Sequence, residues 1–183
     1  MSSSYTSGNF QVRLATLDDG PAVVTLVNSA YRGASSRAGW TTEEALLDGI
    51  RIDASRLAHD IARDGSVVLV HEDAGEIVAC VHLERSGTGC YLGMLTTKPT
   101  RQGHGLGREM LAAAERWAVD HWHARRIHMT VIVQREPLIA YYERRGYRQT
   151  GVRRPFPYGD ERWGIPKRAD LEFVVLEKTL QEG

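Results

Sequence analysis

Cysteine is nearly absent from this chain: of 183 residues only Cys80 and Cys90 are cysteines, and they form no Cys-x-x-Cys pair. That excludes a disulfide framework and a cysteine-based zinc or redox motif, so the two thiols read as small core residues in a reducing compartment. Net charge is absent as well. Lysine plus arginine equals aspartate plus glutamate at 23 each, which leaves no overall field to draw the chain to nucleic acid or an anionic membrane. No apolar run approaches the roughly 20 residues of a membrane span. The first eight residues, Met-Ser-Ser-Ser-Tyr-Thr-Ser-Gly, lack the apolar stretch of a secretory signal. The expectation is a cytoplasmic protein without membrane or nucleic-acid partners. With no internal repeat and no linker-like stretch, residues 1–9 read as a flexible N-terminus and 10–180 as a single domain, long enough to bury a core.

The hydrophobic pattern alternates between strand and helix periods. A short strand at Phe10–Ala15 ends at Asp18-Asp19-Gly20-Pro21, which caps a helix with Val23, Val24, Leu26 and Val27 inward. Thr41-Thr42-Glu43-Glu44 has the composition of a helix N-cap with acids in the first turn. A second helix is predicted near Leu57–Arg63. Strands follow at Ser66–His71, Ile77–Leu83 and Tyr91–Thr97, the first two joined by a hairpin turn at Asp73–Glu76. Beyond them come a helix carrying Leu106, Met110, Leu111, Ala114, Trp117 and Ala118 on one face, and a strand at Arg126–Gln134. A helix around Ala140–Arg145, a short strand near Arg148–Val152 and a last strand at Leu171–Glu177 complete the series.

The richest segment is Leu95-Thr-Thr-Lys-Pro-Thr-Arg-Gln-Gly-His-Gly-Leu-Gly107, which leads from a strand through a glycine loop into a helix. Alternating glycines leave backbone N–H groups unobstructed, and the helix N-terminus carries partial positive charge, so the turn suits a phosphate. The dinucleotide fingerprint fails because its last glycine would fall at Arg108, and the GxxxxGK[ST] phosphate loop has no match. What remains is Gln102-x-x-Gly105-x-Gly107 after a strand and a proline. About forty residues on, Ala140-Tyr-Tyr-Glu-Arg-Arg-Gly-Tyr147 supplies a Tyr-Glu pair followed by Gly and an aromatic.

Together these two segments, in this order and at this separation, resemble the signatures of the GNAT superfamily of N-acetyltransferases. Two positions depart from the pattern: Leu138 stands where the family has alanine, and Arg135 where it often has asparagine. The resemblance covers residues 10 to 180 and implies a mixed α/β fold of the GNAT type. Its mostly antiparallel central sheet would be flanked by helices and splayed open between the fourth and fifth strands. It further implies acetyl-CoA as co-substrate and no metal. The pantetheine arm would hydrogen-bond the main chain at Leu95, Thr96 and Thr97, with the pyrophosphate on Gln102, Gly103, His104, Gly105, Leu106, Gly107 and Arg108. Many relatives are dimers, which implies a homodimer here.

The activity so implied is transfer of an acetyl group to a primary amine by direct attack in a ternary complex. Tyr142 aligns with the tyrosine that protonates the leaving thiolate in many relatives. An unperturbed tyrosine near pKa ~10 is a weaker acid than a thiol near ~8.5, so full transfer is uphill by roughly 2 kcal/mol and Tyr142 is expected to act by hydrogen bonding. Many relatives carry a glutamate base on the fourth strand; here Tyr91-Leu-Gly-Met94 has no acid. Glu84, Glu43, Glu44 and Asp48 are substitutes between which the sequence does not choose, and a water chain is another. A non-catalytic acyl-CoA-binding sensor is the rival reading, favoured by the missing glutamate and opposed by Tyr142.

Acceptor selection falls to two distinctive segments, Tyr31–Arg51 and Arg153–Lys167. Tyr31, Trp40, Phe156, Tyr158 and Trp163 are candidate walls for a small amine. Glu43, Glu84, Asp48, Asp160 and Glu161 are candidate partners for its charge. Each has a plainer reading as a surface loop stapled by aromatics. His121 and His123, two apart on a helix, point to different faces and do not make a metal pair.

Overall fold

The computed structural model describes residues 5–7 and 10–181. Its elements in chain order are β1 (Tyr5–Ser7), β2 (Phe10–Leu14), α1 (Gly20–Tyr31), β3 (Leu47–Asp48), α2 (Ala54–Ala62), β4 (Ser66–Asp73), β5 (Glu76–Ser86) and β6 (Gly89–Thr97). There follow α3 (Leu106–Trp122), β7 (Arg126–Ile132), α4 (Glu136–Glu143), β8 (Arg148–Pro155), β9 (Ile165–Pro166) and β10 (Glu172–Thr179). Eight strands form one sheet in the order β1-β2-β4-β5-β6-β7-β10-β8, while β3 and β9 pair separately. Every contact in the large sheet is antiparallel except β6 with β7.

At its centre the sheet is buried on both faces, which is why β5 reads as an almost continuous apolar run. Ala79, Val81 and Leu83 pack against α3 residues Met110, Leu111 and Trp117. Cys80 faces the opposite way, into a second core with Val23, Leu26 and Val27 of α1 and Leu57 of α2. Each helix starts where local chemistry dictates. Pro21 sits in the first turn of α1, and the Asp53 carboxylate accepts the N–H of Arg56 at 2.8 Å to cap α2. At the β4–β5 hairpin Ala74 and Gly75 are both left-handed, at φ 51° and 80°, the requirement of a tight two-residue turn that matches strand twist.

One expectation is corrected. Thr41–Glu44 starts no helix: it runs into a turn in which the N–H groups of Leu46 and Leu47 bond the Glu43 carbonyl, and then into β3. The acids that suggested a cap instead find cationic partners, Glu43 in the interior and Glu44 on Arg37. Within residues 1–9, read as an N-terminus ahead of the domain, Tyr5–Ser7 pair with Phe10–Val12 as an edge strand; the remainder of that stretch lies outside the described residues.

The feature that positions the site is the parting of two strands. β6 and β7 pair in parallel over only three positions, Gly89–Arg126, Cys90–Ile127 and Tyr91–His128. Past that point β6 stays with β5 and β7 with β10. As it leaves, β6 carries one extra residue: Cys80 pairs with Thr96 and His82 with Gly93, so Met94 and Leu95 together oppose Val81. Met94 takes a left-handed φ of 55° to make this bulge. Among α2's residues Leu57 alone is fully buried, so Leu57→Ala is expected to lower unfolding free energy by about 2–5 kcal/mol. Urea titration checks this, and an unchanged midpoint would show that α2 is not anchored through this core.

Candidate active site

The parted strands open onto two connected cavities and a basin. The first cavity, about 300 Å³, runs from the glycine loop to the bulge. Gly103, Gly105, Gly107 and Arg108 line one end, and Leu95, Tyr31 and Tyr142 the other. The second, an inner chamber of about 80 Å³, shares Tyr31, Leu95, Arg135, Leu138 and Tyr142 with the first and adds Glu43, Arg51, Gly93 and Met94. An open basin of about 910 Å³ meets that chamber at Arg51, Tyr91, Gly93, Met94 and Trp163.

The loop end of the first cavity is built for close approach. Gly103 and Gly105 are left-handed, at φ 85° and 82°, and Gly105 is the N-cap of α3. A side chain at position 107 would stand 3.1 Å from the Tyr141 hydroxyl, so glycine there keeps the entrance narrow but open. Arg108, Arg135, Arg144 and Arg145 line this cavity and no carboxylate does. Arg145 lies over the Tyr141 ring at 3.5 Å, with a buried Nε lacking a hydrogen-bond partner. An anion is the natural complement of such a lining.

Not every residue predicted to contact a cofactor faces this cavity. Leu95, Thr97, Gln102, Gly103, Gly105, Gly107 and Arg108 line it, whereas Thr96, His104 and Leu106 do not. Thr96 is buried with its hydroxyl on the Met94 carbonyl at 3.0 Å, His104 is exposed, and Leu106 packs on the core. Gln102 works as a clamp: its Nε2 donates to Thr41 Oγ1 at 2.8 Å and to the Thr97 carbonyl at 3.1 Å, and its Oε1 accepts the Trp40 N–H at 2.8 Å. Trp40, held in this way, stands 5.2 Å from the Tyr141 ring across the cavity.

At the bulge, Tyr31 donates its hydroxyl hydrogen bond to the Leu95 carbonyl, fixing the main chain where the two cavities meet. Tyr142 is buried and lines both cavities, yet its hydroxyl has no hydrogen-bond partner among the described residues. Burial drives its pKa far above the ordinary tyrosine value, so it keeps its proton and is available as a donor.

Glu43 is no free carboxylate. It lies buried between Arg32, which bonds it directly, and Arg135, whose Nη1 is 2.9 Å away. Burial alone would neutralise it, but the guanidiniums of Arg135, Arg32 and Arg51 outweigh that cost and hold its pKa below the usual 4.5. Arg135 also donates to the Thr41 carbonyl at 2.5 Å, so one arginine pins the whole 41–43 segment over the split. Glu84 lines the basin but bonds Arg63 at 2.8 Å, and that hydrogen bond lowers its pKa. Asp48 meets Lys167, Asp160 meets Arg162, and Glu161 lines the basin. Phe156 and Trp163 do wall the inner chamber. Tyr158 instead staples its loop, donating to the Arg168 carbonyl and accepting the Leu171 N–H.

One residue went unmarked in the sequence. His82, on β5, pairs with Gly93 of β6, lines the basin and is 8% exposed. Its Nε2 is 2.8 Å from the Ser66 hydroxyl, which itself donates to the Asp60 carbonyl at 2.6 Å. A hydroxyl has one proton, so Ser66 accepts from His82. The imidazole therefore carries its hydrogen on Nε2 and presents a bare Nδ1. Burial lowers its pKa below 6.5, with Arg63 and Arg51 adding to the effect and the carboxylates of Asp60 and Glu84 opposing it. The available signal was a histidine set among apolar residues of a buried strand. Both cysteines, by contrast, are buried thiols whose pKa burial raises to about 12.

Among the described residues no group of three or more His, Cys, Asp or Glu is placed to hold a metal, and no helix is long and apolar enough to cross a membrane. Residues 26–147 match the model of the acetyltransferase (GNAT) family. The chain belongs to that family, whose members are N-acetyltransferases. No curated protein matches the sequence. Among solved structures, ribosomal-protein-alanine N-acetyltransferase from Brucella melitensis is 21% identical, with 92% of this chain and 99% of that one covered at a TM-score of 0.68. YncA from Salmonella typhimurium, solved with its cofactor acetyl-CoA, is 22% identical over 95% of both chains with a TM-score of 0.67. PaiA N-acetyltransferase from Thermoplasma acidophilum, in complex with coenzyme A, is 13% identical over 93% and 99% with a TM-score of 0.67.

Replacing Glu43 by glutamine would leave Arg32 and Arg135 buried against no carboxylate. Glu43→Gln is expected to cost about 3–5 kcal/mol of stability, read as a lowered urea midpoint. A midpoint within error of the parent would show that the ion triad does not hold the 41–43 segment in place.

Proposed function

We propose that this chain transfers the acetyl group of acetyl-CoA to the primary amine of a small molecule by direct attack in a ternary complex. The observation that carries the reading is the first cavity, lined by four arginines: a glycine turn at a helix N-terminus at one end, a bulged strand edge and a protonated tyrosine at the other. The cofactor's phosphates would lie against Gly103–Gly107 and Arg108, and its pantetheine arm along the unpaired edge of β6 at Leu95 and Thr97, as an added strand. Acetyl-CoA supplies the thioester that the amine attacks.

The protein's own groups then divide the work. Tyr31 holds the Leu95 carbonyl and so sets the orientation of the bulge main chain, whose N–H groups are the candidate donors to the carbonyl oxygen under attack. Tyr142 keeps its proton and hydrogen-bonds the departing sulfur. His82 takes the proton that the amine must lose, because Nδ1 is bare and the ring is neutral at neutral pH. Glu43 and Glu84 are poorer bases, both paired with arginine and lowered in pKa. With a proton acceptor available from β5, the acid missing from β6 no longer argues for a non-catalytic sensor. The small volume of the inner chamber, about 80 Å³ and walled by Phe156 and Trp163, favours a small acceptor over a protein tail.

Acetyl-CoA-dependent thiol release across a panel of amines tests the reading, with acetyl-CoA binding measured separately by calorimetry. Tyr142→Phe is expected to lower kcat about 100-fold with little change in the KM for acetyl-CoA. Binding without release for any amine would return the sensor reading. The parent enzyme is expected to lose activity as pH falls through a value below 6.5, where His82 gains its proton. His82→Gln should lower kcat roughly 100-fold and abolish that acid limb. An acid limb that persists in the variant would remove His82 from the proton path.

A further inference from the structure

The inner chamber holds more positive charge than it neutralises. Three guanidiniums line it, those of Arg32, Arg51 and Arg135, against the single carboxylate of Glu43. Arg32 and Arg135 both engage that carboxylate. Arg51 does not: among the described residues its guanidinium has no hydrogen-bond or ion-pair partner, and it stands 5.7 Å from the centre of the Tyr31 ring. Arg32 adds a buried Nε that lacks a partner. Arg51 lines the chamber and the basin but not the cavity that ends on the glycine loop, so the phosphates of a nucleotide cofactor do not account for it. Of the other basin arginines, Arg63 is matched by Glu84 and Asp60, Arg162 by Asp160, and Arg56 lies over the Trp163 ring at 5.2 Å.

Resting on the N-acetyltransferase reading, we propose that the acceptor carries a carboxylate beside its amine and that Arg51 holds it, making the substrate class amino acids rather than simple cationic amines. An excess of guanidinium repels a plain ammonium ion and lowers its proton affinity. For a diamine or an alkylamine this only opposes binding. For an amino acid the same charge attracts the carboxylate through a two-pronged guanidinium contact, and at the same time favours the neutral amine that attack requires. The chamber's position fits both tasks: Arg51 stands with Gly93 and Met94 at the junction of chamber and basin, and His82 lines the basin beside them.

The test is thiol release from acetyl-CoA with the twenty L-amino acids, each against its carboxamide and its decarboxylated amine. For the acceptors that turn over, the acid is expected to exceed its amide by about 10- to 100-fold in kcat/KM, the loss that follows removal of one charged hydrogen-bonded contact. Arg51→Met should erase that ratio while leaving the KM for acetyl-CoA unchanged, which also shows that the variant is folded. Arg51→Lys, keeping the charge but not the planar fork, should restore part of the ratio. An amide or amine as good as its acid would overturn the proposal, as would an Arg51→Met variant that slows acid and amide equally. Absence of turnover for every acid, from a chain that binds acetyl-CoA in calorimetry, would overturn it too. Failure to bind acetyl-CoA at all would bring down the N-acetyltransferase reading itself, and this proposal with it.

Discussion

Three parallel pairs between β6 and β7, followed by separation, organise the rest of this molecule. A strand edge in a buried sheet is costly unless its N–H and C=O groups find partners, and here the edge opens onto cavities instead of another strand. The bulge at Met94–Leu95 turns the strand as it leaves its neighbour, and Tyr31 reaches from α1 to hold the Leu95 carbonyl. The two hydrophobic cores lie on opposite faces of the sheet. The first of them packs residues from both sides of the split, Leu92 of β6 with Ile127 and Met129 of β7 and Leu176 of β10, so both parted strands are anchored in one core.

A second constraint closes the split from above. The 40–43 segment is tied down at several points: Gln102 bonds Trp40, Thr41 and Thr97, Arg135 bonds Thr41 and Glu43, and Arg32 bonds Glu43. Position 135, where the family often has asparagine, is thus explained by reach. A long guanidinium spans from the start of α4 to a carboxylate on the far wall, which a short amide does not. The same residue brings positive charge to the inner chamber, whose electrostatic character follows from a structural tie.

Much of this was legible in the sequence because it was written in local patterns. The period of α3, the Gly103–Gly107 turn and the Tyr142–Gly146 signature each lie within one stretch of chain, and the structure joins the first two to Tyr142 in one cavity. The error has a physical source. Thr41–Glu44 looks like a helix start because acids near a serine or threonine usually cap; here a tertiary demand, two arginines distant in sequence, overrides the local preference. Gln102 lines the first cavity and also ties down the 40–41 segment, a bond across the fold that no local pattern announces. His82 went unmarked because a histidine in an apolar strand carries no pattern, and only its contact with Ser66 reveals which ring nitrogen is free.

Cys80 and Cys90 take on meaning beside this chemistry. Cys80 lies against the bulge, with its sulfur 3.9 Å from the Met94 carbonyl oxygen. If a thioester is the donor and a free thiol the product, any reactive thiolate nearby is a competing nucleophile, able to capture the acyl group by thioester exchange. Raised to about 12 by burial, both thiols are silent at physiological pH. The chain keeps its own sulfur chemically inert at the place where another molecule's sulfur is to react.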